Sequence, residues 1–133
     1  MYQVIMTVEL EYRGESIELT RGAVLPMPPF EGMTIDTSHD TDDFVVETVT
    51  VQLSLDAPDP FWQRQMEIRV ECWGEDLSGY HRPVALSQVI DRVKHDGFDL
   101  RWDDDNGWLT AEEAAEIRRY CDERKAAKAA PMN

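Results

Sequence analysis

The sequence predicts an α+β fold, in which an antiparallel sheet of about four strands, made of two hairpins, is followed by two C-terminal helices packed on one face. Hydrophobic residues recur with period two in the first half of the chain, and after Pro83 they recur with a helical period. A length of 133 residues suits one hydrophobic core and is too short for two. We expect a single domain over residues 1–125 and a frayed tail over 126–133, which has little to bury.

The first hairpin is predicted from an alternating pattern that breaks at a glycine. Residues 3–12 alternate hydrophobic with polar side chains, and residues 16–20 resume the alternation after Gly14. A glycine between two such runs is typical of a hairpin turn, because it adopts positive φ without steric cost. The predicted inward side chains are Val4, Met6, Val8, Leu10, Tyr12, Ile17 and Leu19.

A second antiparallel pair is predicted from residues 44–55 and 66–73, which are joined by a loop whose two prolines cannot continue a ladder. Glu47 is the one break in the first run. The predicted inward side chains are Val45, Val49, Val51, Leu53 and Leu55 in the first run and Met66, Ile68, Val70 and Cys72 in the second. Residues 22–43 are rich in proline and acidic residues, so we expect a long irregular loop there.

Two helices are predicted in the last third of the chain. Hydrophobic residues at i, i+3, i+4 and i+7 define the first helix, and Gly97 provides its stop. Thr110 and Glu113 form a capping box that opens the second helix. The predicted inner faces carry Leu86, Val89, Ile90 and Val93 in the first helix and Ala114, Ile117 and Cys121 in the second.

The segment DDDNGWLTAEE, residues 103–113, resembles the calcium loop of the EF-hand family. If Gly107 takes the sixth position of a loop over 102–113, the third, fifth, ninth and twelfth positions carry oxygen-bearing side chains. The resemblance therefore implies a calcium site formed by Asp104, Asn106, Thr110 and Glu113. The first position departs from the family pattern, since Trp102 stands where an aspartate is usual. The alternative is a tight turn at Asn106 and Gly107 followed by a simple helix cap. We expect no cofactor other than this calcium.

Negative charge is concentrated in two stretches of the sequence. The formal net charge is −14, whereas solubility of a small domain needs a magnitude of only about 2 to 8. No lysine or arginine occurs between Arg21 and Arg64, or within residues 102–117, and the acids of these stretches account for the whole net charge. Alternation also places Glu9, Glu11, Glu18, Glu67 and Glu71 on the solvent faces of their strands. Such a charge disfavours nucleic acid and anionic membranes as direct ligands and favours a basic partner or a cation.

The charge pattern predicts a non-enzymatic protein that docks on a basic, nucleic-acid-binding surface of a partner protein and inhibits it. In size and charge the chain resembles the small acidic inhibitors, DNA mimics and anti-CRISPR-type anti-defence proteins that phages and mobile elements direct against host machinery. The expected partner-binding residues are Asp36, Asp40, Asp42, Asp43, Asp56, Asp59, Asp103, Asp104 and Asp105, with Trp62 as an apolar anchor. Trp62 could instead fold back over the core as a lid.

Two other functions are compatible with the same sequence. One is a calcium-binding module that acts through the loop at 102–113, and the other is a structural or assembly component of a phage particle, whose charge only maintains solubility. We expect no enzyme, because no HExxH, GxSxG or phosphate-binding glycine motif accompanies His39, His81 or His95. The sequence has no leader-like start and no apolar stretch near the ~20 residues of a membrane span, which predicts a cytoplasmic protein.

Overall fold

The described residues of the chain form one mixed sheet of seven strands with two helices. A computed structural model describes residues 1–36, 44–53, 66–101 and 106–129. The strands are β1 (Tyr2–Tyr12), β2 (Glu15–Leu25), β3 (Thr34–Ile35), β4 (Phe44–Leu53), β5 (Met66–Cys72), β6 (Glu75–Asp76) and β7 (Asp99–Leu100). The helices are α1 (Arg82–Lys94) and α2 (Ala111–Ala129). Neither of these helices is long and apolar enough to cross a bilayer.

The predicted four-stranded antiparallel sheet is wrong, although both of its strand pairs exist. β1 pairs with β2 and β4 pairs with β5 in antiparallel register, as expected. The spatial order is β3-β4-β5-β1-β2-β7, and β1 runs parallel to β5 and, further along, to β6. Alternation specifies which face of a strand is buried but not which strand lies beside it. Strands β3, β6 and β7 have two residues each and are too short to show a period.

The central position of β1 agrees with its buried inner face. Its five predicted inward side chains are all at most 4% exposed. The two-residue turn to β2 uses Arg13 at φ 52° and Gly14 at φ 85°, which is the positive-φ geometry that a tight hairpin requires. β2 continues to Leu25, well beyond the predicted end of the hairpin at residue 20. The resulting long ribbon presents one apolar face to the helices and one polar face to solvent.

A β-bulge at Glu47 explains the break in the alternation of β4. The register with β5 shifts between Val46 and Thr48, so one extra residue is inserted on β4. Before the bulge, Phe44 and Val46 are buried and Val45 is exposed, so the predicted inward placement of Val45 is wrong. After the bulge, Val49 and Val51 lie opposite the buried Val70 and Ile68, on the predicted face, but Val51 is 53% exposed, so its predicted burial is wrong.

The two helices bury the predicted apolar positions against the inner face of the sheet. Val89 and Val93 of α1 are fully buried, and Gly97 follows that helix at φ 79°. The buried positions predicted for α2 are confirmed, since Ala114, Ile117 and Cys121 all belong to the core. α2 extends to Ala129, past the expected domain boundary at residue 125.

The capping box at the start of α2 is confirmed. The Thr110 N–H donates to the Glu113 carboxylate over 2.9 Å, and the Glu113 N–H donates to the Thr110 hydroxyl over 3.1 Å. The preceding turn packs against the first hairpin, where the indole N–H of Trp108 donates to the Leu10 carbonyl over 3.1 Å. The second helix is therefore fixed to the sheet at its N-terminus.

Candidate functional site

The sheet face opposite the helices carries an acidic cavity of about 390 Å³, which we call the acidic cleft. Seven of its ten lining residues are carboxylic acids, and none of the ten is a lysine or arginine. The cleft is lined by Thr7, Glu9, Glu11, Glu18, Glu47, Glu71, Cys72, Gly74, Glu75 and Asp76. Such a wall attracts cationic groups and repels anions.

Strand alternation places most of these carboxylates. Glu9 and Glu11 of β1, Glu18 of β2 and Glu71 of β5 each lie next to buried apolar residues, so their side chains point to the opposite face. This confirms the predicted solvent-face position of these residues. Glu47 reaches the same face because it is the residue at the bulge of β4. Carboxylates from four strands, β1, β2, β4 and β5, thus lie on a single surface.

The last part of the cleft wall depends on a close approach between two backbones. β5 and β6 lie in line along one side of β1, and Gly74 stands in the gap between them. A Cβ at Gly74 would lie 2.1 Å from the carbonyl oxygen of Glu9, so only glycine fits there. This contact allows β6 to place Asp76, which lies opposite Glu11, beside the other outward-facing carboxylates, while Glu75 lies opposite the buried Leu10.

Two acidic residues that line the cleft form ion pairs with arginines from outside its wall. Glu75 accepts a hydrogen bond from the buried Arg92 of α1 over 2.6 Å, and Arg101 contacts Glu18 over 2.9 Å. The Arg92 guanidinium also lies 3.7 Å from the buried Asp96 and over the ring of Phe44. Glu75 is therefore part of a structural network that joins β6 to α1.

Four carboxylates of the cleft make no ion pair within the described residues. Glu9, Glu11, Glu47 and Glu71 are all exposed. Glu9 lies directly opposite Glu18 in the β1–β2 register, and like charges in this position destabilise a sheet. The fold therefore holds negative charge on rigid strands at some cost in stability.

Asp76 lies at the rim of the cleft and accepts two hydrogen bonds from Ser78. The hydroxyl and the N–H of Ser78 both donate to one carboxylate oxygen, over 2.5 Å and 3.0 Å, and these bonds lower the pKa of Asp76. Cys72 lies deeper, and burial raises the pKa of its thiol to about 11. Cys72 is consequently a neutral packing residue at physiological pH and not an activated nucleophile.

An exposed tryptophan borders the carboxylates. Trp73 is 61% exposed, and Val45 is 36% exposed. The backbone N–H of Trp73 donates to the backbone carbonyl of Val45 over 2.9 Å. Since Cys72 and Val46 point inward, their neighbours Trp73 and Val45 point to the outer face. The predicted anchor was Trp62 and not Trp73. Continuing the alternation of β5 by one residue would have identified it.

The predicted partner-binding residues fall almost entirely outside the described parts of the chain. Asp36 is described, and it is exposed just after β3. The predicted residues outside the described ranges are Asp40, Asp42, Asp43, Asp56, Asp59, Trp62, Asp103, Asp104 and Asp105. Their part in binding stays a prediction, and the acidic cleft is formed by other carboxylates.

The side chains predicted to bind calcium are engaged in protein hydrogen bonds where the structure describes them. Asn106 Oδ1 accepts a hydrogen bond from Arg118 over 3.0 Å, while Thr110 and Glu113 cap α2. Arg82 also donates to Glu113. Burial raises the pKa of Glu113, but the hydrogen bonds from Thr110 and Arg82 together lower it further than burial raises it. Within the described ranges, no three His, Cys, Asp or Glu residues form a group that could hold a metal ion. Since Asp104 lies outside those ranges, the calcium site stays a prediction.

Comparisons with known proteins add no relative. The chain matches no protein-family model, no curated protein and no solved structure.

Proposed function

We propose that this protein is a non-enzymatic interaction protein whose acidic cleft binds a basic, nucleic-acid-binding surface of a partner protein and blocks it. The observation that supports the proposal is the set of exposed carboxylates at Glu9, Glu11, Glu47 and Glu71, which lack ion-pair partners among the described residues. A partner that supplies lysines or arginines provides the missing counter-charges.

The rigidity of the cleft favours binding over simple solubility as the role of these carboxylates. Charges that serve only solubility can lie anywhere on a surface, whereas these charges are fixed on paired strands. Glu9 and Glu11 are two residues apart on β1, which spaces them by about 6.8 Å along the strand. A fixed array loses little conformational entropy on binding, and a cationic partner relieves the repulsion between Glu9 and Glu18.

Trp73 supplies the apolar part of the proposed interface. Exposed tryptophans are enriched among the residues that dominate binding energy, and an indole face also attracts arginine guanidinium groups. Trp73 lies one residue from Cys72 and Gly74 of the cleft wall, so one docking surface can contact both the ring and the carboxylates. The resulting interface has an aromatic anchor beside an acidic array.

A pair of triple variants with equal net charge tests the proposal. In the first variant, Glu9, Glu47 and Glu71 are changed to lysine, which reverses the cleft. In the second, Asp91, Asp122 and Glu123 are changed to lysine; these acids are exposed on α1 and α2, away from the cleft. Each protein serves as bait in a lysate of the source organism, and bound proteins are eluted with increasing salt. We expect wild type and the helix variant to retain the same partner, and the cleft variant to lose it.

Competition with nucleic acid tests the second half of the proposal. The captured partner is purified and mixed with a duplex or a single strand that it binds, and the wild-type protein is then titrated into this complex. We expect displacement, because both ligands need the same cations, and the displacement should weaken as salt rises. Simultaneous binding of both ligands, or equal capture by the two triple variants, contradicts the proposal. A wild-type bait that captures no salt-sensitive partner favours the alternative of a structural particle component.

A further inference from the structure

A second charged cavity, of opposite sign, lies on the helix side of the sheet. It has a volume of about 420 Å³, and we call it the basic pocket. Five of the chain's 13 lysines and arginines line it, although the chain as a whole carries a net charge of −14. The lining residues that carry charge or can acquire it are Arg21, Lys94, His95, Asp96, Asp99, Arg124, Lys125 and Lys128. Positive charge is thus gathered in one place in a strongly acidic protein.

The two arginines of the basic pocket are held in place by backbone carbonyls. Arg124 donates to the carbonyls of Val93 and Phe98 and to the carboxylate of Asp99, while Arg21 donates to the carbonyl of Asp96. Both guanidinium groups are only partly exposed. A guanidinium has five N–H donors, so each arginine keeps donors beyond those used in these bonds. Their orientation is fixed before any ligand arrives.

The positive charge of the pocket exceeds what its own carboxylates neutralise. Asp99 is paired with Arg124 and Lys125, and Asp96 faces Arg92 over 3.7 Å from outside the pocket. Three cations remain without a carboxylate partner in the described chain: Arg21, Lys94, whose ammonium lies 4.1 Å over the ring of Tyr120, and Lys128. Lys94 and Lys128 lie in the last turns of α1 and α2, but each helix C-terminus carries only about half a negative charge, so the positive charge of the three cations exceeds that of the two helix ends.

We propose that the basic pocket binds the phosphate group of a small phosphorylated molecule. Arginine forks match the oxygens of a phosphate, and lysines add point charges around them. A volume of about 420 Å³ lies in the range of small-molecule sites. A long polyanion is disfavoured, because it would extend beyond the pocket over an acidic surface, whereas repulsion of a small ligand is screened within about 8 Å.

Phosphorus NMR and calorimetry with inorganic phosphate as the probe test this site. The test variant is Lys94→Gln with Lys128→Gln, because both side chains are exposed and their loss leaves the core unchanged. The matched control is Arg69→Gln with Arg119→Gln, which removes two exposed cations outside the pocket. We expect saturable binding to wild type and the control, and binding at least about tenfold weaker in the double variant, since it lacks two of the positive charges that attract the phosphate. Titrations at constant ionic strength, adjusted with chloride, keep charge screening the same at every phosphate concentration.

The outcomes separate the sources of the phosphate group. Tighter binding of a nucleoside monophosphate than of inorganic phosphate supports a nucleotide-sized ligand, and equal affinity supports a free phosphate. Absence of saturable binding to wild type at millimolar phosphate overturns the proposal, as does undiminished binding by the double variant. The cleft variant described above should still bind phosphate, because its substitutions lie on the opposite face.

Discussion

Replacing Gly74 with alanine should destabilise the protein and distort the acidic cleft. The added Cβ would lie 2.1 Å from the Glu9 carbonyl oxygen and 3.1 Å from the carbonyl carbon. Glu9 cannot easily retreat, because β1 is paired on its other side with β2. The segment that joins β5 to β6 must therefore move away from β1. Overpacking of this kind costs about 1–3 kcal/mol, and we expect a loss of that size in the free energy of unfolding.

Urea denaturation of matched glycine variants measures this effect. With a slope of about 1–3 kcal/mol per molar urea, the midpoint for Gly74→Ala should fall by roughly 1 M while the slope is unchanged. Gly22→Ala is the control, since a Cβ at Gly22 meets no atom within 4 Å. It should be neutral or stabilising by about 0.4–1 kcal/mol, because alanine restricts the unfolded chain. Equal midpoints for the two variants would refute the close approach of these backbones and the cleft geometry that depends on it.

Four further predictions concern charge repulsion, helix capping, pH dependence and thiol reactivity. Glu9→Gln should stabilise the protein by about 0.2–1 kcal/mol in low-salt urea titrations, because it removes a like-charge pair, and the gain should shrink in 1 M salt. Thr110→Ala should cost about 1 kcal/mol in the same assay through loss of a helix cap. Because the folded-state pKa of Glu113 is lowered, its carboxylate stabilises the fold above the ordinary pKa of 4.5, and this stability is lost as the pH falls below that value. The urea midpoint of Glu113→Gln should therefore depend less on pH in this range than the midpoint of the wild type. A thiol reagent at pH 8 should modify Cys72 far more slowly in the native than in the denatured protein, since burial raises its pKa to about 11.

The strand pattern was predictable to the extent that hydrophobic period determines it. The hairpin of β1 and β2 and the pairing of β4 with β5 follow from alternation, and the capping box identified the start of α2. The reversal of burial in β4 could not be read correctly, because a bulge changes the facing of every residue on one side of it. Glu47 indicated where the alternation breaks, but not in which half of β4 the side chains keep their predicted orientation.

The acidic cleft was predictable in its components but not as a site. Alternation identified Glu9, Glu11, Glu18 and Glu71 as solvent-facing residues of separate strands. Their convergence requires β1 to lie between β2 and β5, and that neighbour relation has no local signature. The basic pocket was not predicted at all, since its cations come from β2, the end of α1 and the end of α2.

The sequence by itself determined the inner faces of β1 and of the two helices, the start of α2 and the excess of negative charge, because each depends on neighbours in the chain. Only the tertiary structure decided that β5 runs parallel beside β1, that Gly74 lets β6 complete the acidic wall, and that five cations meet on the other side. These features depend on contacts between residues far apart in sequence. Such contacts produce no periodic pattern of residue types in the sequence.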